Sequence, residues 1–146
     1  MKPVLALLLF MALAGCSGID SDARLIQSPA AVEMAAAVAP AGISGRFDVH
    51  VQATGKVNGV VFLNSENDYR DQRNLSVEIA PAVAEDLEKT YGAPPEHFFQ
   101  GKHITVTGEA ARVTVWFIDG KGVQTDKYYY QTHVRVDAPN QIQIVP

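Results

Sequence analysis

Strict alternation of apolar and polar residues from Arg46 onward constrains this chain more than any other feature. Phe47, Val49, Val51 and Ala53 interleave with Arg46, Asp48, His50 and Gln52. A period of two puts the first set on one face of a β-strand and the second set on the other. Asn58 and Gly59, a dipeptide that accepts the positive φ angles of a tight hairpin, introduce a second strand over residues 60–64. After a polar loop, residues 65–74, the residues Leu75, Val77 and Ile79 alternate with Ser76 and Glu78. Pro81 ends that third strand and opens a helix over residues 82–89. Phe98 and Phe99 are placed to plug a core at this crossover. Alternation resumes with Ile104 and Val106, then Val113, Val115 and Phe117, and a Gly-rich turn follows at residues 119–122. This stretch fits two strands or one long bent strand. Tyr128, Tyr130, Thr132, Val134 and Val136 form a further strand, and Ile142 and Ile144 a short last one. Many short strands with one helix between strands three and four predict an all-β fold: a small OB-fold-like barrel over residues 45–146.

The chain has 146 residues, 47% of them apolar and 19% charged, which suits a single domain with its own core. Its one cysteine, Cys16, cannot form an internal disulfide, and with four scattered histidines it leaves no thiol-based zinc pattern. Lys2 and the apolar run over residues 4–14 read as a secretory signal, too short to span roughly 30 Å of hydrocarbon. The run ends in Leu13-Ala14-Gly15-Cys16, which resembles the lipobox of bacterial lipoproteins. That resemblance implies a signal peptide over residues 1–15 and a diacylglyceryl group on Cys16, which becomes the mature N-terminus. Two or three acyl chains then give lasting membrane attachment. An ordinary signal peptide with an incidental cysteine is the alternative. Ser17 after the cysteine resembles the signal for outer-membrane sorting, facing the periplasm. Residues 16–44 read as the lipidated cysteine followed by an Ala/Ser/Pro-rich tether. Within it Ser28-Pro29 is placed to cap a short helix over residues 30–38, which leaves open a flexible spacer or a helix packed on the domain.

Loss of Lys2 with the signal leaves 11 basic against 16 acidic side chains, a formal charge of −5. A nucleic-acid binder usually carries a basic footprint. Two stretches nevertheless resemble bacterial OB-fold domains of the nucleic-acid-binding, thermonuclease-associated type. One comprises Gly59-Val60-Val61-Phe62-Leu63-Asn64, Tyr69-Arg70-Asp71 and Leu75-Ser76-Val77-Glu78-Ile79. The other comprises Phe99-Gln100-Gly101-Lys102-His103-Ile104-Thr105-Val106-Thr107-Gly108 and Pro139-Asn140-Gln141-Ile142-Gln143-Ile144. The resemblance implies the barrel and, as an alternative function, single-stranded nucleic-acid binding. The acidic charge and a longer, aromatic-rich hairpin between Ala111 and Val136 depart from that pattern.

Tyr69, Trp116 and Tyr129 are the aromatics that parity or loop position sets off the core-facing residues. OB-folds stack bases and sugars on such rings. Arg70 and Asp71, with Asp68, fall in the loop between strands two and three, where an OB-fold meets its ligand, although an Arg among carboxylates also makes loop salt bridges. Lys127 and Arg135 add positive charge beside the aromatics. His50, His97, His103 and His133 fall on different elements, and no nucleophile elbow or phosphate cradle is legible. His103 and His133 can meet across strands, but two ligands make no metal site. The expectation is therefore a lipid-anchored, envelope-located, non-catalytic module without cofactor or metal. It recognises a protein or glycan partner through Tyr69, Arg70, Asp71, Trp116, Lys127 and Tyr129.

Overall fold

A computed structural model describes residues 24–146; the signal, the lipobox and Cys16 lie outside the described residues. The barrel is built from β2 (Ile43–His50), β3 (Ala53–Val57), β4 (Val60–Asn64), β5 (Leu75–Ile79), β6 (His103–Ile118) and β7 (Gln124–Val136). β2 pairs antiparallel with β6, β6 with β7, β7 parallel with β5, β5 antiparallel with β4, and β4 with β3. β2 and β3 are two halves of one bent strand, and the bend hands its hydrogen bonds from one neighbour to the other. The Val51 N–H donates to Lys102 O, and the Gln52 N–H donates to Asn64 O, both at 2.9 Å. The ladder thereby returns on itself, in the strand order of an OB-fold.

Local chemistry follows the sequence closely in this part. The β3–β4 turn is Asn58-Gly59, with φ of 50° and 83°. α2 (Pro81–Tyr91) starts on its proline, and Gly92 ends it at φ 74°, the left-handed conformation glycine adopts without cost. Its Val83, Ala84 and Leu87 turn inward, and a short helix, α3 (Pro95–Phe98), leads to the fully buried Phe99. Phe47, Val49, Val61, Leu63, Leu75, Val77, Ile79, Ile104, Val106, Val134 and Val136 supply the inward faces and are fully buried.

Three elements lie outside the elementary barrel. β1 (Leu25–Gln27) pairs parallel with β2, and α1 (Ser28–Val38) lies across β2, β6, β7 and β5. α1 buries Ala31 and Ala35 completely. Of the two readings left open for the helix in this segment, the structure shows the packed one: residues 25–38 are docked on the domain and β2 begins at Ile43, while residues 16–23 lie outside the described residues. Small alanines let the helix sit close, and Ser28, rather than capping it, donates its hydroxyl to Asp48 O at 2.7 Å. At the other end of the chain β8 (Ile142–Ile144) pairs with β6 at residues 104–106, beside the point where β7 leaves off.

Candidate functional site

β6 and β7 continue past the barrel as a long hairpin. β6 is a single strand that keeps one parity from Ile104 to Trp116, with no register shift before Trp116. Its core-facing side at Ile104, Val106 and Ala110 therefore continues to Arg112, Thr114 and Trp116. Val113, Val115 and Phe117 face the opposite way, and this reverses the sequence expectation for Trp116. Where the hairpin outruns the barrel, Trp116 packs on Tyr128 at 5.0 Å between ring centroids, and Arg112 lies over the Tyr130 ring at 4.2 Å. Trp116, Tyr128 and Tyr130 are all about half exposed.

The other side of the hairpin curls over the outer faces of β3, β4 and β5 and encloses a groove of about 660 Å³. Phe62, Asn64, Ser76, Val115, Tyr129, Gln131 and His133 line it, with Tyr69 and Asn67 from the β4–β5 loop and Thr54 and Gly55 from β3. This is the face on which OB-folds hold oligonucleotides and oligosaccharides. Gln131 organises it: its Nε2 donates to Tyr69 O and to the Tyr129 hydroxyl, both at 3.2 Å. His133 stands between Gln131 Oε1, 2.7 Å from Nε2, and Glu78 Oε2, 2.9 Å from Nδ1. Its ring meets Phe62 edge-on. Burial pushes the Tyr129 hydroxyl pKa above its ordinary value, and the neighbouring Tyr69 adds to this. Tyr129 is thus a neutral hydrogen-bonding ring throughout the physiological range.

The structure unites Tyr69 and Tyr129 in this groove but sends the other expected residues elsewhere. Trp116 is on the far side of the hairpin. Lys127 is exposed beyond the groove and does not line it. Arg70 forks onto Asp68 with both contacts at 3.1 Å and faces a second hollow of about 580 Å³, shared with Arg112, Tyr128 and Tyr130. Asp71 is held by Arg73, Nη2 to Oδ2 at 2.8 Å. Arg135 pairs with Asp137.

The Tyr69 loop is seated by a buried polar cluster that sequence reasoning did not single out. Asn74 Nδ2 donates to Asn64 Oδ1 at 3.1 Å and to Ser76 Oγ at 2.9 Å, and Asn74 Oδ1 accepts from the Glu66 N–H at 3.1 Å. Ser65 Oγ accepts from the Leu75 N–H at 2.8 Å. Asn74→Ala is expected to cost roughly 2 kcal/mol, because it strips partners from buried groups that water cannot reach. Urea unfolding measures this, and a loss under about 0.5 kcal/mol would show that the cluster does not hold the loop.

The loop also carries a pH signature. The hydrogen bonds from Arg73 hold the Asp71 carboxyl down to about 2 from an ordinary 3.8. A depressed folded pKa means that the pair supports the loop fully above the unfolded value and is lost as pH falls through about 2. Carboxyl carbon shifts of Asp71 should give a midpoint near 2; one near 3.8 would mean that the fork does not persist in solution.

A second constellation joins histidines that the sequence did not pair: His103 meets His50 on β2, whereas His133, the register partner of Ala111, lies farther along β6. His50 and His103 are register partners on β2 and β6, and their rings stack at 3.9 Å and 15°. His103 Nε2 hydrogen-bonds Asp48 Oδ1, and Gln27 Nε2 donates to Asp48 Oδ2 at 2.7 Å. Burial alone would raise the Asp48 pKa, but the hydrogen bonds from His103 and Gln27 outweigh it and hold the carboxyl below its usual range.

No protein-family model matches the chain, and no curated protein matches it. Among solved structures, a putative aspartyl-tRNA synthetase from Leishmania major Friedlin is similar over 88% of this chain, with 14% identity and a TM-score of 0.44. This chain spans 22% of that protein's length. The similarity is too slight to carry anything about function.

Proposed function

We propose that this chain is a lipid-anchored binding module of the bacterial envelope, attached through Cys16 and non-catalytic, whose groove recognises a glycan. Of the protein and glycan partners compatible with an acidic secreted domain, the lining favours the second. The observation that carries this is the groove's neutrality: no Lys, Arg, Asp or Glu lines it, while Tyr69 and Tyr129 flank amide and hydroxyl groups from Asn67, Gln131 and Thr54. Sugars are bound by such rings with convergent neutral hydrogen-bonding groups. Phosphate backbones need cations, and salt-dependent affinity follows from them.

Calorimetric titration of the chain with neutral N-acetylglucosamine and glucose oligomers, at about 50 and 200 mM salt, tests the reading. Saturable binding with equal affinity at both salts supports it. Failure of every oligosaccharide, together with oligothymidylate binding that weakens steeply with salt, would replace it with the single-stranded nucleic-acid alternative.

A further inference from the structure

We propose that Asp48, His50 and His103 form a binding site for a divalent transition-metal ion of the zinc class, separate from the groove. Register pairing sets His50 and His103 directly opposite one another, and Asp48, two residues before His50, shares their face of the sheet. One carboxylate oxygen and one imidazole nitrogen from each histidine lie within 4.8 Å of one another. Among the described residues no other three such side chains come together in this way. A tetrahedral ion with bonds of roughly 2.0–2.1 Å needs its donors about 3.3 Å apart, so ion binding turns the two stacked rings toward one another and exchanges the His103–Asp48 hydrogen bond for bonds to the metal. Two nitrogens and one carboxylate suit zinc, nickel or copper and not magnesium or calcium, which take oxygen ligands.

Four features make this more than a chance meeting of side chains. Asp48 is 9% exposed on an outward-facing position of β2, covered where β1 and α1 dock. Its second oxygen is held by Gln27, which orients the carboxylate as an outer partner does in metal sites, while its first oxygen, hydrogen-bonded to His103, would exchange that bond for the ion. The histidines sit at paired positions on two barrel strands, so their backbones are held opposite one another before any ion arrives. His50 is exposed, which gives an ion a path from solvent and leaves its fourth position to water.

The test is titration of the full chain in detergent with zinc chloride alone. One equivalent is expected to bind in the micromolar range, with magnesium giving no binding. His50→Ala, His103→Ala and Asp48→Asn should each weaken binding at least tenfold, Gln27→Ala about tenfold, and His97→Ala not at all. A ring-nitrogen NMR spectrum of the chain with its histidines intact covers the case of a variant that fails to fold. Zinc should move the signals of His50 and His103 and leave those of His97 and His133 in place. No saturable zinc binding, retention in both histidine variants, or shifts at His97 or His133 in place of His50 and His103 would overturn the site.

Discussion

Phe99→Ala is expected to lower the free energy of unfolding by about 3–5 kcal/mol. Phe99 is fully buried between the helical crossover and the barrel. Phe98 and Tyr91 meet its ring edge-on at 5.0 and 5.6 Å. Its backbone is fixed as well, since its N–H donates to Pro95 O and its carbonyl accepts from Lys102 as β6 begins. A cavity at this point cannot close without moving the helix against the strand. Phe98, only partly buried and stacked on Tyr91 at 4.1 Å, should lose clearly less on truncation. Urea unfolding of the two variants distinguishes them, and equal losses would mean that Phe99 is not the plug of the barrel.

The second large effect falls on binding. Tyr129→Ala should weaken oligosaccharide affinity about tenfold or more, on the order of 1.5 kcal/mol, because it removes both a stacking ring and the hydroxyl that Gln131 holds. Tyr69→Ala should lose a comparable amount. Trp116→Ala should lose nothing, since its ring is on the opposite side of the hairpin. Titration of the three variants against one oligomer gives the order. Loss with Trp116→Ala and none with Tyr129→Ala would move the site to the other face.

Much of this fold is written locally. The alternation at Phe47, Val49 and Val51, the Asn58-Gly59 turn, and Pro81 and Gly92 at the ends of α2 each act through their own backbone neighbourhood, so the barrel is legible in the sequence. What was not legible depends on partners distant in the chain. The parity of Trp116 was misread because Gly108 to Arg112 breaks the apolar rhythm, although the strand itself runs on unbroken from His103. The docking of α1 rests on Ala31 and Ala35, whose small side chains look alike in a spacer and in a tight interface. The pairing of His50 with His103 depends on β2 and β6 being neighbours, a closure made by the bend at Val51 and Gln52. Tyr69 and Tyr129 were legible as candidates. Gln131, Asn74 and His133, which position the groove around them, were not, because polar residues in a strand look solvent-facing until the hairpin covers them.

On the proposed function, ligand enters the neutral groove between Tyr69 and Tyr129. Amide and indole NMR shifts followed while a neutral oligosaccharide is added test it most directly. Shifts are expected to concentrate at residues 53–57, 64–69 and 129–133 with the Trp116 indole unmoved, and shifts centred on Trp116, Tyr128 and Tyr130 would contradict binding in the groove.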